Sequence, residues 1–235
     1  MRFDWSQPYP SRRQPVLARN AVATSQSLAV QAGLAMLHRG GNAVDAALAT
    51  AIALTVVEPT GNGVGSDLFA IVWDGLALAG LNASGRAPAA LTAARYAGLR
   101  EMPQRGWEAV TIPGAVSGWA ALSQRFGALP FADLFEPAIR YARDGFPVSP
   151  NVARQWGRAA AVLPHDLGFG EHFLPRGRAP DPGETFACAP LAATLAAIAQ
   201  SRGEAFYRGA LAQAMVDDAR AHGALHTLAD YDAHA

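Results

Sequence analysis

The residues with the clearest chemical potential lie in two loops and a scatter of histidines. Gly61, Gly63 and Gly65 give a G-x-G-x-G run. A dinucleotide fingerprint needs G-x-G-x-x-G between a strand and a helix. Here the spacing differs, and the order reads helix, loop, strand, so the glycines are expected to mark a tight backbone passage that side chains would block. Arg86 sits in the turn-rich segment Asn82-Ala83-Ser84-Gly85-Arg86-Ala87-Pro88, after a probable core strand. An arginine there is placed to clamp a substrate carboxylate with two parallel hydrogen bonds. The plainer alternative is a surface arginine paired with a neighbouring acid.

Other catalytic patterns are missing. There is no G-x-S-x-G elbow for a serine nucleophile. Of the six histidines, His165 and His172 fall in a proline- and glycine-rich stretch, and His222, His226 and His234 cluster late in the chain. His222 and His226 have helical spacing for a metal pair, but Gly223 should end any helix between them and no H-E-x-x-H exists. They are read as surface histidines, and His38 as a helix-end residue without a second ligand. Cys188 is the single cysteine, expected as a small buried apolar residue. No metal and no other cofactor is expected.

The chain has 235 residues, 51% of them hydrophobic, enough for one sizeable core. Nineteen basic residues, all arginine, balance nineteen acidic ones, so there is no electrostatic footprint for nucleic acid. The first 20 residues read as an irregular lead-in without an apolar leader. No stretch is long enough to span a membrane, so a cytoplasmic protein is expected.

Hydrophobic spacing places the elements around these residues. A helix is expected from Leu28 to Arg39, capped by Ser25 or Ser27 and stopped by Gly40-Gly41. Asn42 with Asp45 forms a variant capping box for a second helix, Ala43 to Val57, apolar almost all round and therefore buried on most faces. Asp74-Gly75 should turn a hairpin between Leu68–Trp73 and Leu76–Leu81. Further helices are expected after Pro113-Gly114 up to Gly127, afresh at Pro137, over Pro190–Arg202, and over Glu204–His222. Residues 146–182 read as a long irregular excursion, and the end of the chain as interrupted, with no closing element after Leu228-Ala229-Asp230-Tyr231.

Several segments, in order, resemble the gamma-glutamyltranspeptidase family. They are Ser27-Leu28-Ala29, Gly40-Gly41-Asn42-Ala43-Val44-Asp45-Ala46-Ala47, Val57-Glu58-Pro59, Ala87-Pro88, Val110 to Gly114, Phe126 to Pro130, Glu136 to Ile139 and Asp144 to Ser149. The match runs from about residue 20 to 232 as one partial large-subunit domain within residues 1–235. The resemblance implies an α+β fold, the N-terminal part of an αββα four-layer sandwich of the N-terminal-nucleophile hydrolases, incomplete and helix-rich. It implies a precursor that cuts itself before a threonine, whose hydroxyl then attacks a gamma-glutamyl or related amide.

Two departures shape the reading. No threonine here matches the family's Thr-Thr-His-like context, so this chain by itself is expected to be inactive. Its partner would be the C-terminal half that carries the nucleophile, and its ligand a small-molecule amide. Members that hold the glutamyl α-carboxylate use an arginine three residues before Ala-Pro, the position of Ser84 here, while Arg86 lies two places later. Ser84 and Arg86 are therefore the candidate substrate-binding residues, and glutathione and other acyl amides both stay open. The alternative is a truncated remnant or a domain that binds a ligand or partner without turnover. Without the second half, exposed apolar surface and poor solubility are expected.

Overall fold

The computed structural model describes residues 15–163 and 168–234. Helix α1 (Ser27–His38) and helix α2 (Ala43–Val57) pack along each other. The stop between them is as expected, with Gly40 in the left-handed region (φ 87°) and the Gly41 N–H returning to the Met36 carbonyl at 2.9 Å. The cap of α1 is Gln26, whose side chain accepts the Leu28 N–H at 2.6 Å. The expected serines do other work: Ser27 is already helical, and the Ser25 hydroxyl is held by the Glu58 carboxylate.

Helix α2 has the bounds and the capping box read from the sequence. Its buried residues, from Asp45 through Ala46, Ala49, Ile52 and Ala53 to Val57, lie on more than one face. A helix so apolar is stable only inside, and this one is the spine of the core. Pro59 follows its end.

Strands β1 (Leu68–Trp73) and β2 (Leu78–Ala83) form an antiparallel hairpin, with Leu68 opposite Ala83 and Trp73 opposite Leu78. The turn is two residues longer than the expected Asp74-Gly75 pair. Asp74 Oδ1 accepts both the Leu76 and Ala77 N–H groups at 2.8 Å, and this side-chain turn moves the second strand along to residue 78. Leu68, Ala70 and Val72 face the core, while Phe69, Ile71, Trp73 and Leu78 are exposed. A strand apolar on both faces belongs in a sheet covered on both. Among the described residues only one face is covered, so the expected open apolar surface is present.

Helix α3 (Ala115–Phe126) runs against both strands and ends at Gly127. A 3-10 turn over Phe131–Phe135 leads to α4 (Glu136–Asp144), which starts afresh with Pro137 in its first turn. Proline is tolerated there because the first N–H groups have no helical partner.

The stretch 146–182 is more ordered than expected. Strand β3 (Phe146–Pro147) pairs with β4 (Thr185–Phe186), and between them lie α5 (Pro150–Ala160) and α6 (Phe169–Phe173). Trp156, Phe173 and Phe186 pack ring against ring, which offsets the low helix propensity of the segment. His165 lies outside the described residues.

Helix α7 (Ala189–Ser201) follows as expected, and Cys188 before it is buried. The single helix expected over 204–222 is two, α8 (Glu204–Arg208) and α9 (Ala210–Ala221), broken at Gly209. Leu228–Asp232 is a further short helix, α10, with a Thr227–Asp230 capping box and a buried Tyr231. The segment Leu228-Ala229-Asp230-Tyr231, left without an element in the sequence reading, is thus helical. No helix among the described residues is long and apolar enough to cross a membrane.

Candidate substrate pocket

Strand β2 delivers the chain to Ser84, Gly85 and Arg86, and close backbone packing fixes the path. A Cβ on Gly85 would stand 1.3 Å from the Ile112 carbonyl oxygen, and one on Gly114 would stand 1.9 Å from that of Ala83. Only glycine permits segments 83–86 and 112–114 to lie this close. The Ile112 N–H then bonds to the Arg86 carbonyl at 3.0 Å. On the other side, Asn82 Oδ1 accepts the Ser84 N–H (2.9 Å) and hydroxyl (2.8 Å), and Asp67 accepts the Gly85 N–H (3.3 Å).

The glycines singled out from the sequence do not play that part. Nothing lies within 4 Å of where a Gly61 Cβ would stand, and the nearest atoms at Gly63 and Gly65 are at ordinary contact distances. Their loop is open at these positions, and it meets α3 through the Ser66 carbonyl, which accepts the Ala115 N–H at 2.8 Å.

Helix α3 starts at Gly114 with no side-chain cap, so its first N–H groups need outside acceptors. Tyr207 supplies one: its hydroxyl accepts the Ser117 N–H (3.0 Å) and donates to the Pro113 carbonyl (2.7 Å). Burial pushes the Tyr207 phenol above its ordinary pKa, which keeps it a donor. The His234 ring stacks on Tyr207 at 5.1 Å between centroids, and its Nε2 lies 3.0 Å from Ser117 Oγ. Helix α10 carries His234 into place, held by Arg208, which donates to Asp232 Oδ1 (2.8 Å) and to the Asp232 carbonyl (3.0 Å).

These groups enclose a cavity of about 180 Å³ lined by Asn82, Ser84, Arg86, Ser117 and His234, with apolar walls from Leu81, Gly118 and Ala121. Both residues chosen from the sequence, Ser84 and Arg86, line it. Arg86 is exposed, and among the described residues no carboxylate forms an ion pair with it. Burial, and then the Arg86 charge, lower the His234 pKa, with Asp67 opposing.

Ser117 and His234 resemble a serine–histidine pair only in distance. Ser117 Oγ also donates to the Gly114 carbonyl at 2.9 Å, so its proton is turned away from the imidazole, and among the described residues no carboxylate hydrogen-bonds to the other ring nitrogen.

Sequence reasoning missed Ser117 and His234. Their separation of 117 residues hides the pairing, and His234 was expected at the surface, yet it is 93% buried. The Thr227-x-x-Asp230 capping box was the legible signal that an ordered element precedes it. His226 is also buried, edge-on to Trp107 at 5.0 Å, and burial lowers its pKa. His222 lies past the end of α9, so the two do not share a helix face, and the described residues hold no group of three potential metal ligands.

The family model described as Gamma-glutamyltranspeptidase matches residues 29–235, and the chain belongs to that family. Similar relatives include the Glutathione hydrolase-like YwrD proenzyme of Bacillus subtilis, 38% identical over 219 residues, covering 92% of this chain and 42% of that protein. The Oxamate amidohydrolase proenzyme of Klebsiella pneumoniae is 41% identical over 217 residues, covering 88% of this chain and 40% of that one. Among solved structures, a cephalosporin acylase from Bacillus halodurans superposes with a TM-score of 0.92 at 48% identity, over 99% of this chain and 45% of the acylase. The chain thus spans about two fifths of the length of the curated relatives it matches. Its fold is the N-terminal part of the αββα sandwich of the N-terminal-nucleophile hydrolases, helix-rich and incomplete.

Proposed function

We propose that this chain is the substrate-recognising part of an amide hydrolase or acyltransferase, in which a C-terminal half supplies an N-terminal threonine nucleophile. The observation that carries this reading is Arg86, without an ion pair among the described residues, in a small closed-backed pocket at the end of β2. Ser84 adds a hydroxyl beside it. The open apolar face of β1 and β2 is the surface the second half would cover. The acyl group is one bearing a carboxylate, the partner that the Arg86 fork and the Ser84 hydroxyl suit. Gamma-glutamyl and shorter acidic acyl amides both meet that description.

The test compares this chain, and this chain produced with a C-terminal half, on a panel of acyl anilides. Turnover only when both halves are present is expected. Turnover by residues 1–235 alone, or none in either case, removes the reading. Glutarate binding without any turnover would favour a ligand-binding domain instead.

A further inference from the structure

His234 has no role in the account so far, although it is buried in the wall of the Arg86 cavity. Its Nε2 is engaged by Ser117, and its Nδ1 makes no hydrogen bond among the described residues. Because Ser117 donates to the Gly114 carbonyl, the matching His234 tautomer donates through Nε2 and carries a lone pair on Nδ1. The Gly114 carbonyl also accepts the Gly118 N–H at 3.0 Å. Rotating the Ser117 hydroxyl onto Nε2 therefore leaves no backbone group without a partner. That rotation requires Nε2 to release its proton to solvent while Nδ1 takes one up, and so turns the Nδ1 lone pair into a donor.

We propose that His234 is a second recognition residue of the pocket, offering Nδ1–H to the same carboxylate that Arg86 clamps, with Ser117 switching its tautomer. The inference rests on the acidic acyl group proposed above. The charged groups near the ring are Arg86 and Asp67, and the face of Tyr207 covers one side. An arriving anion adds a negative charge that favours protonated Nδ1. A neutral acyl chain gives no reason for the hydroxyl to turn.

The experiment is an NMR titration of histidine ring signals in the intact protein, with glutarate as the probe and glutaramide as its neutral counterpart. The His234 signal is assigned by its loss in His234→Gln. Glutarate is expected to raise the His234 midpoint by about one unit, glutaramide to leave it in place, and Arg86→Gln to abolish the shift. His234→Gln should weaken glutarate binding about tenfold. If that variant does not fold, Ser117→Ala serves: without the hydroxyl to hold Nε2, the tautomer ratio of the free protein should change and the glutarate shift should shrink, and a full shift in that variant overturns the role given to Ser117. A midpoint indifferent to glutarate, or glutarate affinity unchanged in His234→Gln, overturns the proposal. A glutarate shift in a protein that turns over no amide defeats the enzyme reading but not the pocket, and turnover without the shift does the reverse.

Discussion

Asp45→Ala should destabilise the intact protein by roughly 3–5 kcal/mol, a large loss for one side chain. Asp45 is fully buried, and no cation bonds to its carboxylate among the described residues. It is satisfied by backbone instead, accepting the N–H of Asn42 at 2.8 Å, of Ala128 at 3.1 Å and of Leu129 at 3.3 Å. Three donors from two distant segments thus converge on one side chain, which ties the start of α2 to the loop after α3. Alanine removes the acceptor of three part-buried N–H groups, each costing up to about 1–3 kcal/mol where water does not take the carboxylate's place. Asp45→Asn keeps one oxygen but sets an amide nitrogen against backbone donors, and should fall between. Urea unfolding monitored by circular dichroism reads the effect. A loss below about 1 kcal/mol would mean that water or backbone movement replaces the carboxylate.

The second large effect concerns substrate. On the proposed function, Arg86→Ala raises KM for acyl amides bearing a carboxylate by about a hundredfold, and for neutral acyl amides by less than about threefold. The contrast follows from two parallel charge-assisted bonds that only an acidic acyl group can make. Arg86→Lys should recover part of the loss, since a point charge reproduces the attraction but not the fork. The fold should not notice, because the Ile112 N–H bonds to the Arg86 carbonyl, which alanine retains. An equal KM change for both substrate classes would assign Arg86 a structural role.

Local chemistry made much of this fold legible. Asn42 and Asp45 announced α2 to the residue, because a reciprocal cap is written in two side chains three apart. Pro137 announced α4 because proline fits only a first helical turn. Where a single side chain remade a turn, sequence reading slipped: Asp74 bonded two N–H groups and displaced β2 by two residues. Gly209 broke a helix whose apolar spacing continued across it. The turn carrying Ser84 and Arg86 was visible from its residue types and from the family resemblance. Ser117 and His234 were not, since their meeting depends on α10 folding back against Tyr207, a tertiary contact that no local period records.

The most direct test of the central claim is to find where the acyl group goes. This chain produced together with the proposed C-terminal half would be mixed with a slowly deacylated glutaryl amide, quenched in acid, and each chain weighed by mass spectrometry. The account predicts the mass of one glutaryl group on the C-terminal half, at its first threonine, and none on residues 1–235. An acyl group on this chain, at Ser117 or any other residue, would contradict the division of labour between a chain that recognises and a partner that attacks.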